Sequence, residues 1–189
     1  MEKKLFLYYI YHGCGKLLTS EAARRLAFTA TSISRASRQL EEMGLIKTEK
    51  RGVQKVIFSD KTPRELFEAA KSHLMSPVKR TIYVPKAEVK EDLLVSGYSA
   101  LSECTMLNPP EANCRASDRI VAGDKTSMGT LQDPNDQFAV ELWRYDPQKL
   151  ADGECVDRLS LALALGENRD ERIEEAVEEM LAQVWGDNT

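Results

Sequence analysis

Arg35 and Arg38, three positions apart in SISRASRQL, are the residues whose type and spacing best suit contact with a polyanion. On a helix, residues three apart share a face. A guanidinium there can fork two hydrogen bonds to a guanine edge or clamp a phosphate. Thr29, Thr31, Ser32 and Ser34 stand just ahead of the two arginines. Short hydroxyl side chains let a backbone come close to a nucleic acid. Together with a helix N-terminus they can hold phosphate oxygens. Gln39 suits adenine but lies further along the run, beyond its expected reach. Lys47, Lys50, Arg51 and Lys55 form a second basic group around Gly52, suited to minor-groove or phosphate contact, and Arg24 and Arg25 suit the DNA backbone. A single charged residue on a helix usually marks only a solvated face. Here position, sign and expected fold agree.

Such side chains act only if the elements beneath them aim them. Ile33, Ala36, Leu40 and Met43 recur at helical spacing, which predicts a helix over residues 32–43 after a turn at residues 29–31. Gly44 stops it. Upstream, helices are expected over residues 3–11, ended by Gly13-Cys14-Gly15, and over residues 21–28, capped by Thr19 or Ser20. Downstream, the polar residues 47–51, Gly52 and the alternating residues 53–59 read as a β-hairpin. Thr62-Pro63 starts a further helix over residues 64–75, with Thr62 as cap and Pro63 in its first turn.

This order of helix, helix, tight turn, helix and charged hairpin, in LLTSEAARRLAFTATSISRASRQLEEMGLIKTEKRGVQKVIFS, resembles the winged helix-turn-helix of the MarR family. The resemblance covers about residues 5–75. It rests on the alanine-leucine pattern of the second helix, the SISRASRQLEEMGLI run and the basic hairpin. It implies a recognition helix that enters the major groove, with double-stranded DNA as partner. Two departures stand out. The terminal helices that build the family's dimer are replaced by an acidic extension, and the hairpin reads EKRGVQK where an aspartate-x-arginine signature is usual. The family's ligand pocket and dimer mode are therefore not carried over. Winged-helix antitoxins of the AbiEi type share the architecture of an N-terminal winged helix joined to a further domain.

The net charge of −4 conceals two opposed halves. Residues 1–90 hold 18 basic against 9 acidic side chains, and residues 91–189 hold 8 against 21. The basic half suits a polyanion that would repel the acidic half. A strand is expected at residues 80–84. Residues 91–106 read as a helix with Leu94, Tyr98, Leu101 and Thr105 aligned, and residues 112–122 as a strand. Residues 123–136 read as a loop. Residues 137–145 form a second strand, in which Phe138, Val140 and Leu142 alternate with Ala139, Glu141 and Trp143. Residues 155–165 and 169–185 read as helices. The last buries Ile173, Val177, Met180, Leu181 and Val184, and it turns Glu174, Glu175, Glu178 and Glu179 to solvent.

Other chemistries find little support. The four cysteines contain no C-x-x-C, and His12 and His73 are far apart, so neither a metal nor a cofactor is expected. Gly97-Tyr98-Ser99 matches only half of a nucleophile elbow, and no histidine follows residue 73. Asp118, Asp124, Asp133 and Asp136 border a loop and read as solvated. No phosphate-binding or dinucleotide fingerprint occurs. No apolar run approaches the roughly 20 residues of a membrane span. The opening apolar stretch, residues 5–11, is short and lacks a cleavage site, so a cytoplasmic protein is expected.

The fold expected is α+β: a winged helix-turn-helix over residues 1–78, then a smaller-sheet α+β C-terminal domain over residues 79–189. The function expected is a non-enzymatic, sequence-specific transcriptional regulator, a repressor acting as a homodimer. Its acidic half would take a small-molecule effector or a partner protein. The alternative is an antitoxin-like protein that represses its own operon and holds a basic partner.

Overall fold

Leu5, Phe6, Leu7, Tyr9 and Ile10 occupy several faces of the first helix, α1 (Glu2–Tyr11), and all are buried, so α1 is a central strut of the first unit. The computed structural model describes residues 2–12, 14–89, 93–119 and 128–186. The chain divides into two units, Met1–Met75 and Ser76–Thr189, a few residues ahead of the expected boundary after Val78. Among the described residues no helix is long and apolar enough to cross a membrane.

In the first unit, the short strand β1 (Leu17–Leu18) leads directly into α2 (Thr19–Leu26). The expected cap is corrected. Leu18 occupies the cap position without a side-chain bond, and the Thr19 hydroxyl instead donates to the Lys55 carbonyl at 3.1 Å. Thr19 thus joins the helix to the hairpin. The helix ends earlier than residue 28, because Ala27 turns left-handed (φ 54°) and Phe28 N–H returns to Ala23 O at 2.9 Å.

The third helix, α3 (Ala30–Glu42), starts two residues before the expected position. Thr29 is its cap, accepting Ser32 N–H at 3.1 Å, so Thr31 lies inside the first turn. Next come β2 (Lys47–Arg51) and β3 (Gln54–Phe58), joined through Gly52 at φ 62° and a fully exposed Val53. A positive φ at the first of two turn residues is the type II′ pattern, which matches the strands' own twist. The sheet order is β1-β3-β2, antiparallel throughout. The last helix of the unit, α4 (Pro63–Lys71), opens with the expected Thr62 cap. Glu65 completes a reciprocal capping box, and Leu66, Phe67 and Ala70 are buried.

The second unit carries four strands, β4 (Val78–Pro85), β5 (Leu94–Val95), β6 (Cys114–Ser117) and β7 (Gln137–Trp143), in the order β4-β7-β6-β5. Its sheet is therefore larger than that of the first unit, against expectation, because residues 94–95 pair with β6 rather than joining a helix. Ser96 is fully extended and Gly97 has φ 52°, so the helix α5 (Gly97–Cys104) begins only there. The pair β6–β7 is parallel and the others antiparallel. The helices α6 (Arg158–Leu165) and α7 (Glu171–Trp185) follow, capped by Asp157 and Asp170. On α7, Ala176, Val177, Met180 and Leu181 are buried, and Glu174, Glu175, Glu178 and Glu179 are exposed. Part of the strand expected at 112–122, part of the loop expected at 123–136, and Gly13 lie outside the described residues.

Candidate nucleic-acid interface

The outward face of α3 follows from its inward one. Ile33, Ala36, Ser37 and Leu40 are buried. At about 100° per residue, Thr31, Arg35 and Arg38 fall opposite that stripe, and all three are exposed. Among the described residues neither arginine enters an ion pair. The first turn of α3 holds no acidic residue. The N–H groups of Ala30 and Thr31, at its first two positions, have no acceptor within the helix and can meet an anion.

The four hydroxyls named from sequence are not equivalent. Thr29 and Ser32 serve each other: besides capping, the Thr29 hydroxyl donates to Ser32 Oγ at 2.9 Å. Ser34 is half-buried, and its carbonyl accepts from Ser37 Oγ at 3.1 Å. Thr31 alone of the four shares the exposed face of the arginines. Gln39 is exposed to one side of that face, and Arg24 and Arg25 are exposed in the last turn of α2.

The hairpin divides its cations by strand face. Lys47 pairs with Asp60, and Arg51 donates from Nε and Nη2 to Glu49 Oε2, each at 3.1 Å. These ion pairs are exposed and cost little to exchange for a phosphate. Lys50 and Lys55 are direct cross-strand partners. They follow the turn-flanking pair Arg51–Gln54, so they form a close pair, with Cβ atoms about 4.5–5.5 Å apart. Two facing ammonium groups repel, and an anion between them removes that cost. By register, Lys50 and Lys55 share a strand face with Thr48 and Ile57. The Thr48 hydroxyl bonds Glu41 near the end of α3, which puts the lysine pair on the hairpin face turned to that helix.

All four cysteines are free. Burial pushes the Cys14 thiol up to about 11 and the Cys155 thiol up to about 12, so both stay protonated at neutral pH. Among the described residues, no three His, Cys, Asp or Glu side chains form a metal-ligand set. Sequence reasoning missed Glu141 in the second unit. It reads there as one residue of an alternating strand, yet it is half-buried and hydrogen-bonded to Ser96 and Trp143. The chain matches no protein-family model, no curated protein and no solved structure.

Proposed function

We propose that the chain is a sequence-specific double-stranded DNA-binding transcriptional regulator, a repressor, whose first unit is a winged helix-turn-helix. The observation that carries this reading is the exposed face of α3, where Thr31, Arg35 and Arg38 stand opposite the buried stripe and neither arginine is in an ion pair among the described residues. The three-residue turn between α2 and α3 and the basic hairpin after them support it. In this reading α3 enters the major groove and reads bases through its arginines. Ala30 and Thr31 hold a phosphate at the helix start, and Lys50 and Lys55 hold another. A homodimer would present two such helices to two half-sites, and the second unit would sense an effector.

The test is fluorescence anisotropy on duplex DNA from upstream of the chain's own gene, beside a scrambled duplex, over about 50–200 mM salt. Wild type is expected to prefer its own duplex, with affinity falling steeply as salt rises. An Arg35→Ala/Arg38→Ala variant loses that preference, by about 10-fold or more per guanine contact removed. Absent binding, or a preference unchanged in the variant, would overturn the reading.

A second reading draws on α7, whose exposed glutamates make an acidic face. An antitoxin-like protein would hold a basic partner there and repress its own operon through the first unit. Copurification of a basic protein encoded beside this gene, lost when these glutamates are replaced by glutamine, would favour it.

A further inference from the structure

The sheet of the second unit treats its two faces differently. Ile82, Val84, Val140 and Leu142 pack as a core on one. On the other, Thr81 pairs with Glu141 and Tyr83 with Ala139 across β4 and β7, and these four residues border a cleft of about 620 Å³. That volume is within the usual range for small-molecule sites, about 300–1,000 Å³. The end of α6 and the start of α5 complete the walls, with Leu165 and Tyr98 among them.

The cleft has one sign of charge. Glu111, Glu141 and Glu167 line it, with no lysine or arginine among the described lining residues. Glu111 and Glu167 are exposed at its rim, whereas Glu141 is set into its floor. Glu141 Oε2 accepts from the Ser96 hydroxyl and from Trp143 Nε1, the latter at 3.1 Å. These two donors fix the carboxylate. Its Oε1 has no hydrogen-bond partner among the described residues. Gly97 makes room for it: a Cβ there would stand 3.0 Å from Oε1 and 3.2 Å from Cys114 Sγ. A carboxylate held by two donors, partly desolvated and with one oxygen unengaged, is stabilised by a cation. Tyr83 and Tyr98 also line the cleft, and aromatic rings suit both an ammonium and apolar carbon.

We propose that this cleft binds a small organic cation, with a protonated amine on Glu141 Oε1 and an apolar body against Tyr83, Tyr98 and Leu165. The assignment deepens the sensory role proposed for the second unit and rests on it. Its test contains no DNA, so failure of ligand binding and failure of DNA recognition are seen separately.

The experiment is calorimetric titration of the full chain with ethylamine, cyclohexylamine and phenethylamine, each beside its hydroxyl counterpart. At least one amine is expected to bind, and its alcohol to bind more weakly by 10-fold or more. Glu141→Gln keeps the acceptor for Ser96 and Trp143 and is expected to weaken the amine by about 10- to 100-fold, the range for losing a charged hydrogen bond. Ala164→Phe, which adds bulk to the cleft wall from α6 and leaves the Glu141 carboxylate in place, is expected to abolish binding. It keeps the test valid should the Gln variant fail to fold. Failure of all three amines to bind, equal binding of amine and alcohol, or undiminished binding by either folded variant would overturn the proposal.

Discussion

Glu41 joins helix to hairpin through Thr48: its carboxylate accepts the Thr48 backbone N–H at 2.9 Å, and the Thr48 hydroxyl lies 2.9 Å from both carboxylate oxygens. Glu41 is in the last turn of α3, and Thr48 is the second residue of β2. The contact sets the hairpin's angle to the helix that carries Arg35 and Arg38. Thr48→Val keeps the β-branched shape and removes the hydroxyl. It is expected to cost about 0.5–1.5 kcal/mol. In a double-mutant cycle with Glu41→Ala the losses should be non-additive, since both remove one interaction. Urea unfolding of the four proteins measures this, and strictly additive losses would show that the two residues act independently.

Lys50 and Lys55 should affect DNA binding differently from the arginines. Facing each other across the hairpin, they favour a phosphate without reading a base. Lys50→Ala/Lys55→Ala is expected to weaken binding to specific and scrambled duplexes alike. The slope of log affinity against log salt should become shallower by about 0.9, the value for the one phosphate the pair holds. Stability in the absence of DNA should not fall, because a like-charge pair is removed. Loss of sequence preference in this variant would instead mark the hairpin as a base reader.

Ala27 ends α2 at φ 54° and ψ 43°, a left-handed conformation that strains a side-chain-bearing residue by roughly 1–2 kcal/mol. Glycine relieves the strain and loses some of the gain to its freer unfolded chain. Ala27→Gly is therefore expected to stabilise the protein by about 0.5–1 kcal/mol. A thermal melt that shows no gain, or a loss, would mean that the Ala27 methyl makes contacts worth more than the strain.

How far these features were legible in sequence varies with their range. Thr62-Pro63 announced its helix because cap and proline are adjacent in sequence, whereas the reciprocal bond from Glu65 emerges only in the structure. The buried stripe of α3 likewise placed Arg35 and Arg38 on the outer face. The start of α3 falls before the expected residue 32 because Thr29, expected within a turn, caps the helix by accepting Ser32 N–H. The run through residues 94–105 kept a helical period, yet its first two residues are a strand that pairs with residues 115–116, a partner distant in sequence. The ion pairs of Lys47 and Arg51 depend on hairpin register and on Asp60, which local patterns do not specify. Glu141 was hidden for a similar reason. Alternation marks two faces of a strand, but the residues that turn one face into a cleft come from α5 and α6.

Glu141 also gives a prediction about pH. Burial pushes its carboxyl above the usual range, and the bonds from Ser96 and Trp143 offset this only in part. Cys114, close by, has its own thiol raised by burial and then by the Glu141 charge, so it stays neutral at and below pH 7. A carboxyl raised on folding binds its proton more tightly in the folded chain than in the unfolded one. Its contribution to stability is full below the unfolded value, about 4.3, and declines as pH rises through the folded value. Glu141→Gln carries no such proton. The variant is therefore expected to gain stability relative to wild type between pH 4 and pH 7 in urea unfolding without ligand. A saturating amine at pH 7 should reverse the order, because it stabilises the charged carboxylate of the wild type and has none to bind in the variant. A difference between the two proteins that stays constant from pH 4 to pH 7 would mean that the carboxylate is solvated as an ordinary surface group, with no need of a cation.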